Sequence, residues 1–277
     1  MKRIVIIGGN GMLGTDLHEL AIASGYEVII FDRPDFDITN KADVKRAVAS
    51  GDVIVNCAAY TAVDKAESEP EAAYAVNAAA VKNLGEVCAS ANKYLVHIST
   101  DFVFGDDSDR PLKETDSPSP LSVYGRTKLE GEILLSQTPC RAGIIRVQWT
   151  YGKGGNNFIY KIVELAKSRP ELKVVDDQVG APTPTASAAA AILCFLEKQP
   201  EGIFHFAAKG YASRYETAIF IADKLGLDVK ISPCASTEFP APAARPLNSR
   251  FDCSKIDAVL DFPRPVWDEA LERFLKN

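Results

Sequence analysis

MKRIVIIGGNGMLG, residues 1–14, is the stretch of the chain that decides its fold. Arg3 to Ile7 is a short β-branched run, typical of a strand buried on both faces, and it stops abruptly at Gly8. From Met12 to Ala23 the apolar residues recur at helical spacing, so the glycines lie between a strand and a helix N-terminus. Glycine lets the backbone approach a phosphate closely, and the unpaired N–H groups of the helix favour its negative charge. The stretch therefore predicts a nucleotide-binding turn.

An acidic residue follows this turn at the distance that a dinucleotide site requires. The glycines at positions 8, 9, 11 and 14 fit two spacings, GxGxxG and GxxGxxG, and either spacing alone is a weak signal. A second apolar run, Val28 to Phe31, ends at Asp32, eighteen residues after Gly14, where a carboxylate meets an adenosine ribose. Arg33 stands beside it and could pair with a ribose 2′-phosphate. These neighbours predict that the protein uses both NADH and NADPH.

The composition indicates a globular protein without a nucleic-acid or membrane partner. The chain has 277 residues, 47% of them hydrophobic, which is enough to bury a substantial core. Its 31 basic and 37 acidic residues are mixed along the chain and give a net charge of −6, so no basic stripe points to nucleic acid. Only four apolar residues separate the basic start from Gly8, too few for a signal peptide, and no apolar run approaches a membrane span. We therefore expect a cytoplasmic location.

The cysteines and histidines give no sign of a metal site. Six cysteines are scattered without a CxxC pair, several of them inside apolar runs, which favours buried thiols over disulfides or metal ligands. His18, His97 and His205 also lack metal-ligand spacing, and two of them lie in strand-like runs. We expect them to be structural.

Alternating strand-like and helical segments predict an α/β fold, a Rossmann-type doubly wound parallel sheet. The strand-like runs are Arg3–Ile7, Glu27–Phe31, Val53–Cys57, Tyr94–Ser99, Gly143–Val147, Leu172–Val175 and Ile203–Phe206. After residue 150 the chain becomes richer in proline and irregular loops, which usually carry recognition. We therefore expect an NAD(P)-binding domain over residues 1–149 and a smaller, mainly substrate-binding subdomain over residues 150–277, whose late strands could rejoin the first sheet.

A tyrosine and a lysine four residues apart are candidates for catalysis. Tyr124 and Lys128 share one face of a predicted helix, although chance alone produces such pairs often. The helix follows a strand that ends in Ser99, Thr100 and Asp101, which places a hydroxyl and a carboxylate at a strand C-terminus. Open α/β sheets bind their ligands at that edge.

At this point the chain resembles the extended short-chain dehydrogenase/reductases, which act largely on nucleotide sugars. The resemblance rests on the glycine motif, Asn56 to Ala59, Thr100 and Tyr124-x-x-x-Lys128. Six further blocks narrow it to the dTDP-4-dehydrorhamnose reductase family, namely TAVDKAESEP (61–70), HISTDFVF (97–104), SPLSVYGRTKLEGE (119–132), NNF (156–158), DQVGAPT (177–183) and RPLNSRF (245–251). The resemblance implies reduction of the 4-keto group of dTDP-4-dehydro-L-rhamnose with NADPH or NADH, which gives dTDP-L-rhamnose, a precursor of cell-surface polysaccharide.

The resemblance also implies roles for individual residues. Tyr124 would be the general acid that protonates the developing alkoxide, Lys128 would lower the pKa of Tyr124 and hold the nicotinamide ribose, and Thr100 would hydrogen-bond the carbonyl oxygen. The cofactor would contact Gly8, Gly11, Met12, Leu13, Gly14, Asp32, Arg33, Asp37, Ile38, Ala58, Ala59, Tyr60, Tyr124 and Lys128. The substrate would contact Thr100, Asp101, Phe102, Trp149, Asn157, Arg245 and Asn248, with the Arg245 guanidinium on the diphosphate.

The chain departs from the family's pattern at two positions. Gln148 stands where a serine is expected before Trp149, and Leu247 stands where a smaller residue is usual. A core role is a strong alternative for Trp149. The resemblance is compatible with a homodimer, and some relatives use Mg²⁺ at a subunit interface, but no ligand cluster in this sequence requires the metal.

Other functions share this fold and remain open from the sequence. A nucleotide-sugar dehydratase needs a second acid/base group, which in that relative is a Glu directly after the Asp, whereas Phe102 follows Asp101 here. A reductase or epimerase on another nucleotide sugar is a further alternative. The fold also serves as a cofactor-binding regulatory subunit of methionine adenosyltransferase, against which the retention of Thr100, Tyr124 and Lys128 argues.

Overall fold

Twelve strands lie in the part of the chain that the computed structural model describes, residues 2–105 and 108–276. They are β1 (Arg3–Ile7), β2 (Glu27–Phe31), β3 (Val53–Asn56), β4 (Tyr94–Thr100), β5 (Ala142–Val147), β6 (Thr150–Tyr151), β7 (Glu171–Val175), β8 (Val179–Gly180), β9 (Thr183–Pro184), β10 (Gly202–Phe206), β11 (Ala212–Ser213) and β12 (Lys230–Cys234). Six of them form one parallel sheet in the order β10-β5-β4-β3-β1-β2. The others form three two-stranded pairs, β6 with β9, β7 with β12 and β8 with β11.

Helices cover both faces of the main sheet. They are α1 (Met12–Ala23), α2 (Lys41–Ala49), α3 (Val63–Ala66), α4 (Pro70–Tyr74), α5 (Ala80–Ser90), α6 (Val123–Ser136), α7 (Phe158–Ser168), α8 (Thr185–Lys198), α9 (Arg214–Leu225), α10 (Ser254–Asp257) and α11 (Trp267–Leu275). A π-helical turn, Ala75–Ala79, joins α4 to α5, and short 3₁₀ segments occur at Asp101–Val103 and Ser236–Glu238. No helix among the described residues is long and apolar enough to cross a membrane.

Alternate residues of the central strands face opposite cores, because successive side chains of a strand point to opposite faces. Ile4 and Ile6 of β1 pack toward the cluster that contains α1 and α8, whereas Val5 and Ile7 pack toward the cluster that contains α2 and α5. A third core lies between α7, α9, α11, β7 and β12. The main sheet is therefore packed on both faces, and the third core forms a separate packed unit.

The predicted parallel sheet is confirmed, with strand bounds that differ by at most one residue. β10 pairs with β5 and α8 packs against α1, so part of the chain after residue 150 belongs to the main sheet. Leu172–Val175, by contrast, pairs with Lys230–Cys234 outside that sheet. All six cysteines are free; four are buried, whereas Cys57 and Cys140 are half-buried.

Candidate active site

The glycine turn after β1 forms a narrow cradle against the end of β3. Gly8 has a φ of +80°, and a Cβ at this position would lie 2.5 Å from the backbone nitrogen of Ala58. A Cβ on Gly14 would overlap the carbonyl oxygen of Gly8, so this glycine allows α1 to pack closely on the turn. Around Gly11 the nearest atom to an added Cβ is 3.5 Å away. The turn is therefore tight on its protein side and open at Gly11, as the phosphates of a dinucleotide require.

A cleft of about 530 Å³ opens beside this cradle, at the carboxyl ends of the parallel strands. Eight of the predicted cofactor residues line it, namely Gly8, Gly11, Asp32, Arg33, Ile38, Ala58, Ala59 and Tyr60. Sequence reasoning did not single out the apolar walls of this cleft, which include Phe31 and Phe36 with their rings 5.3 Å apart. The residues present fit a dinucleotide, because apolar walls can hold its adenine and the glycine cradle its phosphates.

Asp32 and Arg33 both line the cleft, but the Asp32 side chain is held by hydrogen bonds whereas the Arg33 side chain is largely exposed. The Asp32 carboxylate accepts hydrogen bonds of 2.8 Å from the backbone N–H groups of Asn10 and Arg33. The Arg33 side chain is 71% exposed and lies 3.8 Å from Asp37. Asp32 is thus fixed on the glycine turn, whereas Arg33 remains free to move toward a 2′-phosphate.

The other predicted cofactor residues do not line this cleft. Leu13 packs against the hydrophobic core, so a contact with the cofactor would involve its backbone. Met12 accepts a weak hydrogen bond from Asn157 through its sulfur, at 3.6 Å. The Asp37 carboxylate accepts from the backbone and hydroxyl of Thr39, and these hydrogen bonds lower its pKa.

Helix α6 brings Tyr124 and Lys128 to the end of β4. The Ser122 side chain caps the helix by accepting a hydrogen bond from the N–H of Gly125, which fixes where the first turn begins. The Tyr124 hydroxyl lies close enough to Thr100, the last residue of β4, for the threonine hydroxyl to act on the pKa of the phenol. The structure therefore brings together all three residues predicted for catalysis.

The Tyr124 phenol is held in its protonated form. Burial raises the pKa of Tyr124 to about 12, the Thr100 hydroxyl opposes this, and the nearby Asp101 adds to it. The expected lowering of this pKa by Lys128 stays a prediction. The Nζ atom of Lys128 donates a 2.7 Å hydrogen bond to the carbonyl oxygen of Ile98.

Lys128 is fully buried behind the tyrosine. Burial lowers the pKa of Lys128 to about 8, while Glu132 and Cys57 act in the opposite direction. Its Nζ atom also lies 3.5 Å from Nε2 of His97, a contact that sequence reasoning missed. The spacing of β4 could not reveal it, since His97 reads as an ordinary inward-facing strand residue.

The carboxyl group of Asp101 is buried and hydrogen-bonded to neighbouring side chains. It accepts hydrogen bonds of 2.6 Å from the Ser249 hydroxyl and 3.1 Å from Thr100. Burial raises the pKa of Asp101, and these two hydrogen bonds oppose the shift. Phe102, the next residue, packs edge-on against Tyr124 at 5.4 Å between ring centroids. Asp101 and Phe102 thus hold Thr100 and Tyr124 in place.

A second cavity of about 320 Å³ lies between Trp149 and α9. The guanidinium of Arg214 lies 3.5 Å from the centroid of the Trp149 ring, and Trp149 itself has a φ of +44°. Among the described residues, this guanidinium donates no hydrogen bond and forms no ion pair, although Asp101 lies near enough to stabilise its charge. Sequence reasoning missed Arg214, because nothing in its neighbourhood along the chain distinguishes it from a surface arginine.

Arg245 is already paired in this structure. Its two terminal nitrogens lie 2.9 and 2.7 Å from the two oxygens of Asp64, and one of them also donates to the carbonyl of Ala243. The ion pair lowers the pKa of Asp64. An anionic ligand at Arg245 would therefore share or replace the carboxylate of Asp64.

The two predicted substrate asparagines are hydrogen-bonded to the protein itself. Asn157 caps α7 and donates to the carbonyl of Gly152, and the Asn248 amide donates to the carbonyls of Ser108 and Arg110. Both side chains therefore order the loops around the cleft. Gln148 accepts from the N–H of Ala181, which ties β5 to the loop before β9.

No group of three or more His, Cys, Asp or Glu residues that could hold a metal ion occurs within residues 2–105 and 108–276.

A parallel sheet with a glycine cradle after its first strand, and a tyrosine and lysine one turn apart beside it, defines an extended short-chain dehydrogenase/reductase. The family described as "RmlD substrate binding domain" matches residues 1–277. A dTDP-4-dehydrorhamnose reductase of Mycolicibacterium smegmatis is 41% identical over 98% of this chain and 84% of its own length. The chain belongs to the dTDP-4-dehydrorhamnose reductase family.

Two solved structures are similar over nearly the whole chain. A dTDP-4-dehydrorhamnose reductase of Clostridium acetobutylicum has a TM-score of 0.95 and 39% identity, and covers 99% of this chain and 98% of its own. One from Bacillus anthracis, in complex with NADP, has a TM-score of 0.95 and 36% identity, and covers 99% of each chain.

Proposed function

We propose that the protein reduces the 4-keto group of dTDP-4-dehydro-L-rhamnose with NADPH or NADH and so forms dTDP-L-rhamnose. One observation carries the proposal: Tyr124 lies next to Thr100 at the carboxyl end of β4, in a chain that has a dinucleotide cradle and resembles such reductases from end to end. The bound dinucleotide would supply the hydride. The remaining work, which is to orient the ketone and protonate its oxygen, belongs to residues of this chain.

Tyr124 fits the role of general acid. As hydride reaches a ketone carbon, negative charge develops on the oxygen, and a proton donor must lie within hydrogen-bond distance. A phenol with a pKa of about 12 keeps its proton at neutral pH until that charge appears. The Thr100 hydroxyl, which contacts the same phenol, would hydrogen-bond the ketone oxygen and hold it in line.

The substrate's nucleotide would occupy the side of the cleft formed by the later part of the chain. The second cavity contains the guanidinium of Arg214, which lies over the Trp149 ring, and Arg245 offers a planar pair of donors. Arginine binds phosphate oxygens through such paired donors, which matters in a chain whose net charge of −6 would repel the substrate. We assign residues 150–277 mainly to this role and residues 1–149 to the cofactor.

A homodimer and a cytoplasmic location are part of the same proposal. The homodimer rests on the family resemblance, and light scattering on the purified protein tests it, whereas the location rests on the sequence pattern and cell fractionation tests it. Mg²⁺ also rests on resemblance alone, and addition of EDTA to a turnover assay tests it.

The alternatives are less well supported by the site. An elimination needs an acid/base group beside Asp101, whereas Phe102 occupies that position and Asp101 itself is held by Ser249 and Thr100. A regulatory subunit would not need Thr100, Tyr124 and Lys128 together at one strand end.

The test is turnover with a panel of nucleotide sugars. NADPH consumption should be fast with dTDP-4-dehydro-L-rhamnose, and the product should be dTDP-L-rhamnose by chromatography and NMR. dTDP-glucose and UDP-galactose serve as controls for dehydratase and epimerase activity and should remain unchanged. Turnover of either control without reduction of the keto sugar would contradict the proposal, as would tight binding to a larger enzyme with no turnover.

A further inference from the structure

A buried histidine connects the cofactor cradle to Lys128. His97 lies on β4 with none of its surface exposed. Its Nδ1 atom is 3.1 Å from Nδ2 of Asn56, at the end of β3, and its Nε2 atom is 3.5 Å from Nζ of Lys128. The proposed reaction assigns no role to this imidazole, although it contacts a residue of the catalytic group directly.

The direction of the first hydrogen bond is fixed by the backbone. Oδ1 of Asn56 accepts from the N–H of Ala58 at 3.1 Å, and a backbone amide can only donate. This contact decides which end of the Asn56 amide faces the histidine. The NH₂ group faces His97 and donates to Nδ1. In a neutral imidazole the proton must then reside on Nε2.

The Nε2 proton points toward the nitrogen of Lys128. An ammonium group has three donors and no acceptor, so a charged Lys128 would place donor against donor inside a buried site. A neutral amine has a lone pair that can accept from Nε2, and it still donates to the carbonyl of Ile98 at 2.7 Å. Each contact from Ala58 to Ile98 therefore joins a donor to an acceptor only when Lys128 is neutral.

We propose that Asn56 and His97 are positioning residues: Asn56 holds His97 in the Nε2–H tautomer, and this tautomer favours the neutral amine of Lys128. The charge of Lys128 is thereby linked to the cofactor loop at Ala58. Other groups also act on this lysine. Glu132, four residues later on α6, favours the ammonium but is itself paired with Arg146, and Cys57 lies at the end of β3. Tyr124 lies one turn before it on α6.

This balance has a chemical consequence at the same site. When Tyr124 has given its proton to the product oxygen, the phenolate must recover one. The ammonium form of Lys128 can supply it: one N–H bond breaks as an O–H bond forms on the tyrosine, and the lysine becomes the neutral amine that the Nε2–H tautomer of His97 favours. A strongly stabilised ammonium would release it far more slowly. The inference rests on the proposed function for this consequence, but its tests do not need the substrate.

The tautomer can be observed directly in the wild-type protein. ¹⁵N-labelled histidine gives distinct nitrogen shifts for the two neutral tautomers and for the imidazolium, and the chain has three histidines. His97→Gln identifies the signal. We expect a protonated Nε2 and a bare Nδ1 for His97 at pH 7. The opposite tautomer, or protons on both nitrogens, would overturn the proposal without any variant of Asn56.

Asn56→Asp is designed to reverse the tautomer. One carboxylate oxygen still accepts from Ala58, and the other can only accept, so the His97 proton moves to Nδ1 and Nε2 becomes an acceptor for the ammonium. The apparent pKa of Lys128, followed through its ¹³Cε shift and assigned with Lys128→Met, should rise by at least one unit.

Asn77→Asp is the matched control. Asn77 is as buried as Asn56, and its Oδ1 accepts from the N–H of Tyr60, but its hydrogen bonds go to Tyr60 and Thr127 and none to His97. It should leave the tautomer unchanged and shift Lys128 by less than half as much. Equal shifts in both variants would mean that added charge alone acts on the lysine, which refutes the relay. If the wild-type protein has the Nε2–H tautomer but does not reduce the keto sugar, only the proposed function is contradicted.

Discussion

Tyr124 shows how burial decides the chemistry of a single residue. The sequence places a lysine one turn later, and the family resemblance implies that this lysine lowers the pKa of the phenol. In the structure the removal of water outweighs the other influences and raises this pKa to about 12. Tyr124 therefore remains a proton donor throughout the neutral range, which suits a reduction.

Tyr124→Phe keeps the ring that packs on Phe102 and removes only the proton donor. Positioned general acids contribute typically 10²- to 10⁴-fold, so kcat should fall by about that factor while cofactor affinity and the melting temperature stay close to those of the wild type. Single-turnover reduction of dTDP-4-dehydro-L-rhamnose by prebound NADPH measures the effect. Near-normal turnover in this variant would mean that another group delivers the proton.

Asp32 and Arg33 favour different cofactors, and the structure supports both. Asp32 is fixed on the glycine turn and can accept from a ribose 2′-OH, while the exposed Arg33 can pair with a 2′-phosphate. We therefore predict that kcat/KM for NADH and NADPH differ by no more than about tenfold, or about 1.4 kcal/mol. Arg33→Ala should reduce kcat/KM for NADPH and leave that for NADH unchanged. A preference above about a hundredfold in the wild type would contradict the prediction.

At the scale of elements, a buried ion pair anchors α6, the helix that carries Tyr124 and Lys128, to the main sheet. Glu132 lies two turns after Tyr124 and forms a buried ion pair with Arg146 of β5, at 2.6 Å and with each side chain 2% exposed. Arg146 also lies 3.3 Å from Nε2 of His205 on β10. The face of α6 that carries the chemistry is thus continuous with a polar network inside the sheet.

Glu132→Ala should destabilise the protein strongly, because it leaves the Arg146 charge buried without its partner. Loss of one member of a buried pair typically costs about 3 to 5 kcal/mol. Glu201→Ala is the control, since its ion pair with Arg141, beside the same strand, is more than half exposed and should contribute less than about 1 kcal/mol. Urea unfolding of both variants measures the difference. Similar small losses would show that water reaches Arg146.

Elements whose signal is local could be predicted from the sequence, whereas pairings between distant segments could not. The bounds of β1, α1 and β2 follow from periodicity and from glycine and proline positions. Nothing in Leu172–Val175 shows that this strand pairs with Lys230–Cys234 instead of joining the main sheet. The same limit applies to the site: Tyr124 and Lys128 share a helix and were predictable, but the contacts of Arg214 with Trp149 and of His97 with Lys128 depend on tertiary packing.

At the scale of the whole molecule, two buried histidines should make stability depend on pH. Burial, with Arg146 beside it, lowers the pKa of His205 to about 3, and burial lowers that of His97 well below 6.5. Below pH 6.5 the unfolded chain binds protons that the folded chain does not. The free energy of unfolding should therefore fall as pH drops from about 6.5 toward 3, by up to about 1.4 kcal/mol per pH unit for each histidine.

Urea unfolding between pH 7 and 4.5 checks this dependence. His205→Gln keeps a hydrogen-bonding side chain between Leu112 and Arg146 but cannot take up a proton. Over this range the free energy of unfolding of this variant should fall less steeply than that of the wild type. The two slopes against pH should differ by the contribution of about one bound proton. An identical slope in the two proteins would mean that His205 is protonated in the folded state.

At the scale of the whole molecule, the Asp64–Arg245 ion pair also joins an early segment of the chain to a late one. Asp64 lies on α3 near the cofactor residues, Arg245 lies in a late loop, and their side chains are 46% and 30% exposed. A pair this exposed contributes little to stability, so its effect should appear in ligand binding. Because the Arg245 guanidinium has its fork of donors on a carboxylate, a diphosphate at this site would compete with Asp64 for the same donors.

Removal of the two partners should therefore have opposite effects on the affinity for dTDP. Arg245→Ala loses a charge-assisted paired contact and should weaken dTDP by roughly ten- to a hundredfold, or about 1.5 to 3 kcal/mol. Asp64→Asn leaves the guanidinium in place and removes its competitor, so dTDP should bind as tightly as to the wild type or more tightly. Calorimetry with dTDP on both variants measures this, with NADPH affinity as the internal control because neither residue belongs to the glycine cradle. Unchanged dTDP affinity in a folded Arg245→Ala protein would remove Arg245 from the substrate site and leave Arg214, whose guanidinium lies over the Trp149 ring, as the group to which the diphosphate binds.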